Sequence, residues 1–85
     1  MPSRFKKENH VESRWALEIA YIMRVKQGPF TKLMLIKELE YLHPGMYHQE
    51  LKREIEGAFN DDKYFNKKPR FKMAKPGWWD LAERG

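Results

Sequence analysis

The chain has 85 residues, 41% of them hydrophobic and none of them cysteine, and its 17 Lys and Arg against 12 Asp and Glu give a formal net charge of +5. A chain of this length builds one modest core and has no room for a separate catalytic domain. The lack of cysteine excludes a disulfide framework, a thiolate nucleophile and a cysteine-based zinc site, and it favours a cytoplasmic location. No apolar run is long enough to span a membrane.

The first 12 residues are basic and no apolar stretch follows them, so we expect a flexible arm rather than a signal peptide. Apolar residues then recur at three- and four-residue steps, which predicts a helix from Ser13 to about Gln27. Ser13 suits the N-cap position, and Gly28-Pro29 ends the helix because proline cannot continue it. A second helix is predicted from Lys32 to Leu42, with Thr31 as its N-cap.

A third helix follows the tight turn His43-Pro44-Gly45. Its apolar face begins at Tyr47 and lasts to about Asn60. Asn, Asp and Lys then follow in a row, which predicts a solvated turn over residues 60–63 and an exposed loop over residues 66–69.

The spacing of the remaining residues is that of β-strands, because polar and apolar residues alternate on both sides of Pro76-Gly77. Pro-Gly suits the central positions of a type II turn, so we expect an antiparallel hairpin with Trp78 facing outward. The residues predicted to face inward are Phe71, Met73, Trp79 and Leu81. Three helices closed by a wing of two or three strands make a mainly α winged helix-turn-helix domain over residues 13–82, followed by a tail over 83–85.

Several segments resemble the HARE-HTH winged-helix family, which includes the N-terminal domain of the RNA polymerase delta subunit. The similar segments are Gly28-Pro29-Phe30-Thr31 through Ile36, Phe59, Arg70-Phe71, and Trp79 with Leu81. They look like the family's link between helices one and two, the end of helix three and the wing. The resemblance implies a DNA-binding or transcription-associated module with no catalytic residues. The 85 residues contain no long acidic tail like that of the delta subunit, and they are basic.

Residues 63–79 contain six basic side chains, no acidic ones and five aromatic ones. Such a segment is typical of surfaces that neutralise nucleic-acid phosphates. We expect phosphate contacts from Lys67, Lys68, Arg70, Lys72 and Lys75. Trp78 is predicted to stack on sugar or wedge at the groove edge, and the alternative is a tryptophan that lies over lysine stems. The alternative for the whole segment is a strand edge that lysines protect from aggregation.

The third helix offers candidates for base recognition. If Leu51 and Ile55 face the core, a step of 100° per residue turns the opposite face toward solvent. The candidates on or beside that face are His48, Gln49, Lys52 and Arg53. Gln49 can bond adenine and Arg53 can bond guanine in the major groove. The alternative is an ordinary solvated face, with Glu50 paired to Arg53 and Lys52 paired to Glu56.

Apolar residues also occur off the predicted core faces of the first two helices. They are Leu17, Tyr21, Met34 and Tyr41. Such residues predict a homodimer or a contact with another protein, unless Leu17 and Tyr21 pack under the hairpin. The alternative function is therefore a module that docks on a larger transcription, phage or restriction-system protein without reading DNA itself.

Catalysis is the least favoured class. His10, His43 and His48 are not at zinc-ligand spacing, and phosphate-binding glycine loops and nucleophile elbows are absent from the sequence. Asp61-Asp62 is predicted to be a solvated turn rather than a magnesium site. We therefore expect double-stranded DNA as the partner, with no cofactor, no metal and no enzymatic activity.

Overall fold

The computed structural model describes residues 13–84, so the predictions for residues 1–12, including His10, and for residue 85 lie outside the described residues. In chain order the elements are α1 (Arg14–Lys26), α2 (Lys32–Leu42), α3 (His48–Phe65), β1 (Phe71–Lys75), β2 (Trp78–Leu81) and a 3-10 turn (Ala82–Arg84). The two strands form an antiparallel hairpin. The mainly α winged helix-turn-helix architecture is thus confirmed. No helix of the described residues is long and apolar enough to cross a bilayer.

Both predicted N-caps are present. Ser13 Oγ accepts a hydrogen bond from the Ala16 N–H at 3.1 Å, and Thr31 Oγ1 accepts one from the Met34 N–H at 3.2 Å. Each bond satisfies one of the amide groups that the first turn of a helix leaves without a partner. Local sequence therefore sets where α1 and α2 begin.

Between the first two helices, the chain joins the wing. Phe30 forms an isolated antiparallel bridge with Trp79, and their two backbone hydrogen bonds measure 2.7 and 2.8 Å. The bridge places the segment between α1 and α2 beside β2, as a minimal third member of the wing. The hairpin is therefore attached to the helices at two points. The Phe30 bridge holds β2, and contacts with α3 hold β1.

The core lies where the three helices and the hairpin meet. Its fully buried side chains are Ile19, Met23, Leu35, Leu39, Leu51, Ile55 and Leu81. Phe59 extends this core to the wing, since its ring stacks on Trp79 at 4.2 Å and meets Phe71 edge-on at 5.2 Å. Aromatic contacts of these two geometries are favourable beyond the area they bury.

Helix α3 is longer than predicted. It continues through residues 60–63, where a solvated turn was predicted, and ends at Phe65. The prediction failed because Asp62 is buried, with 3% of its surface exposed, and its carboxylate is used inside the fold. It accepts hydrogen bonds from the backbone N–H groups of Arg70 and Phe71, at 2.9 and 3.0 Å, and from Asn66 Nδ2 at 3.0 Å.

The hairpin register agrees with the predicted turn but not with every predicted orientation. Gly77 has φ 82°, which the third position of a type II turn requires. Phe71 lies opposite Leu81 and both are buried, whereas Met73 is 53% exposed although it was predicted to face the core. The register shifts between Met73 and Lys75, and residues 73–77 are all exposed, so the tip of the hairpin lies away from the core.

Candidate nucleic-acid interface

The solvent face of α3 is the one that the helical period predicts. Leu51 and Ile55 are fully buried, while Gln49, Lys52 and Arg53 are exposed. Residues three and four apart lie on one side of a helix, so Gln49, Lys52 and Arg53 form a single polar surface. This surface carries an amide and two cations, which are donors suited to base edges and to phosphates.

A groove of about 500 Å³ runs between α2 and the start of α3. Leu33 and Ile36 provide its apolar part. Its polar lining consists of Lys32, His48, Gln49 and Lys52. Three of the four residues predicted on α3 therefore share one groove, and Arg53 lies outside it, one residue beyond Lys52.

Lys32 is the residue that the sequence alone did not indicate. It is the first residue of α2, directly after the N-cap Thr31, and its Nζ lies 3.1 Å from Glu56 Oε2 of α3. The sequence shows only that Lys32 lies in the first turn of the second helix. Its position beside Lys52 arises from the packing of α2 against α3.

The ion pairs predicted to neutralise α3 are not the ones that form. Glu56 pairs with Lys32 instead of Lys52, and Glu50 Oε1 accepts the Tyr47 N–H at 3.0 Å at the start of the helix. Within residues 13–84 we find no acidic partner for Lys52 or Arg53. Both cations are therefore available to an external anion.

The wing cations occupy three different settings. Lys67 and Lys68 are exposed in the loop after α3, Arg70 and Lys72 are half-buried, and Lys75 is exposed at the hairpin tip. The Lys68 N–H donates to Asn66 Oδ1 at 3.1 Å, which gives this loop a defined shape. The loop position of Lys68 and the tip position of Lys75 are both exposed, so a nucleic-acid backbone can approach either side chain.

Lys72 is the wing cation least suited to binding a phosphate, because Asp80 lies directly opposite it in the hairpin register. Asp80 is buried at 8% exposure and its Oδ1 accepts the Leu81 N–H at 2.7 Å. A carboxylate this close offsets part of the positive charge of Lys72. By contrast, Lys68 and Lys75 have no acidic partner within the part of the chain that the structure describes.

Trp78 is half-buried rather than fully outward. The Lys75 amino group lies 4.9 Å from the centre of its indole ring. The alternative prediction placed this tryptophan over lysine stems, whereas the contact in the structure is made by the Lys75 amino group, and it holds the Lys75 side chain near the hairpin tip.

The two groups of predicted site residues lie on different parts of the fold. The base of the wing is attached to α3 at Asp62, thirteen residues after Gln49, which is about 20 Å along a helix at 1.5 Å per residue. The structure thus gathers His48, Gln49 and Lys52 around one groove and places Lys68 and its neighbours near the other end of the same helix.

His43 has a structural role. His43 Nε2 lies 2.6 Å from Glu18 Oε1, and its ring centre lies 4.8 Å from that of Trp15, so it links α1 to the end of α2. In residues 13–84 there is no group of three or more His, Asp or Glu side chains that could hold a metal ion.

No protein-family model, curated protein or solved structure matches this chain. Its function is therefore inferred from the fold and from the surface just described.

Proposed function

We propose that this chain binds duplex DNA, as a small transcription regulator or a DNA-associated accessory factor in the cytoplasm. The observation that carries the proposal is the exposed polar surface of α3, where Gln49, Lys52 and Arg53 lie together beside Lys32 and no acidic side chain within residues 13–84 pairs with Lys52 or Arg53. An α-helix fits the major groove, which is about 12 Å wide, and the second helix of a helix-turn-helix pair is the one that enters it.

In this proposal the cations have two roles. Lys52 flanks the groove and contacts phosphates beside α3, while Gln49 and Arg53 reach base edges. The wing contacts a second stretch of backbone through Lys68 and Lys75. Because the base of the wing joins α3 about 20 Å along the helix from Gln49, the two sets of contacts involve different stretches of the backbone. The likeness to HARE-HTH domains remains a prediction from the residues, and it points to the same class of partner.

The salt dependence of binding tests the wing. Each phosphate contact contributes a slope of about −0.9 to log K against log salt, so the double variant Lys68→Ala/Lys75→Ala is expected to flatten the slope by roughly 2. Fluorescence anisotropy with a labelled duplex, repeated over a range of salt concentrations, measures the slope. The matched control is Lys26→Ala/Lys37→Ala, which removes the same charge from α1 and α2.

The control is expected to keep nearly the full wild-type slope, because Lys26 and Lys37 lie outside both the wing and the α2–α3 groove. Equal flattening in the two double variants would mean that only net charge matters and would remove the wing from the interface. A wild-type protein that shifts no duplex even at low salt would refute the proposed function itself.

Base recognition is tested separately, after selection of bound sequences from random duplexes. Arg53→Ala and Gln49→Ala are each expected to lose about 1–3 kcal/mol of discrimination at one base pair of the selected site, the amount that a bidentate contact supplies. Lys52→Ala is the control, and it is expected to weaken selected and random duplexes alike. If Arg53→Ala weakens both duplexes equally, Arg53 contacts phosphate and not base.

A further inference from the structure

Helix α1 carries an apolar stripe that faces away from the core. Leu17, Tyr21 and Val25 follow one another at four-residue steps and are 51%, 64% and 57% exposed. The alternative prediction that Leu17 and Tyr21 pack under the hairpin is therefore wrong. The side of α1 that faces the core carries Ile19 and Met23, which are fully buried.

Helix α2 adds a second apolar group next to this stripe. Tyr41 is 85% exposed, Leu42 is 49% exposed, and Met34 lies two turns earlier on the same side at 39%. Between the helices runs a groove of about 440 Å³, whose apolar lining comprises Tyr21, Ile22, Val25, Tyr41 and Leu42. The two stripes thus form one continuous surface, which we call the α1–α2 face.

The groove between the helices carries little net charge compared with the +5 of the whole chain. Its charged lining consists of Lys26, Lys37 and Glu38, and Lys26 Nζ lies 3.0 Å from Glu38 Oε1, which leaves the single positive charge of Lys37. A polyanion gains little from one such charge, and a strongly acidic protein finds few complementary groups. A second apolar face of equally low charge does match it, and another copy of the chain carries one.

We propose that two copies of this chain associate through their α1–α2 faces about a two-fold axis, with Tyr21 and Tyr41 at the centre of the contact. At about 150–250 Å² for each buried aromatic side chain, Tyr21 and Tyr41 contribute at most about 300–500 Å², and the exposed parts of Leu17, Val25, Met34 and Leu42 add to this toward the ~800 Å² per partner of a standard interface. Tyrosine is enriched among the residues that dominate binding energy at interfaces. The dimer does not depend on DNA binding, and it leaves the α2–α3 groove of both copies uncovered.

Sedimentation equilibrium over concentrations from low micromolar to submillimolar tests the proposal. The average mass of the wild type is expected to rise from the 10.3 kDa of one chain toward twice that value. Tyr41→Glu places a carboxylate in the contact and is expected to raise the dimer Kd by at least about 10-fold. The control is Leu33→Glu, which adds the same charge to an exposed position of α2 that lines the other groove.

Leu33→Glu is expected to dimerise like the wild type, and circular dichroism melts are expected to show that both variants remain folded. A wild-type mass that stays at 10.3 kDa at every concentration would overturn the proposal, as would equal losses in the two variants.

Dilution of a 15N-labelled sample gives an independent test, since chemical shifts that change on α3 and not on α1 and α2 would place the contact elsewhere. Binding of Tyr41→Glu to a short duplex is expected to match the wild type at a single site, which keeps failure of the dimer distinct from failure of DNA binding.

Discussion

Replacing Asp62 with alanine is expected to lower the free energy of unfolding by about 2–4 kcal/mol, because it leaves one buried and one half-buried backbone N–H group without an acceptor, at about 1–3 kcal/mol for the buried one. The two groups belong to Arg70 and Phe71, where the chain enters β1. A domain of this size has a total stability of roughly 0.05–0.15 kcal/mol per residue, so the loss is a large fraction of the whole. Urea unfolding followed by circular dichroism measures it.

The control for this change lies two residues earlier on the same helix. Asn60 is exposed, and Asn60→Ala is expected to change stability by no more than about 0.5 kcal/mol. Asp62→Asn keeps one acceptor oxygen and is expected to fall between the wild type and Asp62→Ala. Hydrogen exchange of the Phe71 amide reports the change locally, and it is expected to be faster in Asp62→Ala because that N–H loses its acceptor. An Asp62→Ala protein as stable as Asn60→Ala would mean that water or another group replaces the carboxylate.

The second large effect is expected at Phe59, which joins α3 to both strands of the wing. Its ring stacks on Trp79 at 4.2 Å and meets Phe71 at 5.2 Å, and only 4% of the residue is exposed. Phe59→Ala is expected to cost about 3–5 kcal/mol, from lost burial together with the cavity it leaves. Thermal unfolding measures the loss, and the Trp79 indole resonance reports whether the wing stays attached.

Phe59→Leu is the matched control, because leucine keeps most of the apolar volume and lacks only the aromatic faces. We expect it to cost less than about 1.5 kcal/mol. If the leucine variant loses as much stability as the alanine variant, ring stacking and not core volume attaches the wing. If neither variant is destabilised, the hairpin is held by the Phe30 bridge and the Asp62 hydrogen bonds instead.

Much of the fold could be predicted from neighbouring residues along the chain. Ser13 and Thr31 cap the helices that follow them, and Pro76-Gly77 turns the hairpin. The exposure of Gln49 and Arg53 follows from the period of α3, since that period also buries Leu51 and Ile55. These features rest on contacts within about one helical turn or one hairpin, so they are visible in the order of the residues.

Other features depend on which groups packing brings together. Residues 60–63 are helical because Asp62 meets amide groups eight and nine residues away, and an Asn-Asp-Asp run with no such partners favours a turn. Met73 has the alternation of a buried residue, yet it lies in the exposed tip of the hairpin, away from the core. Lys32 joins the candidate site because α2 packs on α3, which no spacing along the chain encodes. Local periodicity thus fixes which way each side chain points, while the relative placement of the elements decides what it meets.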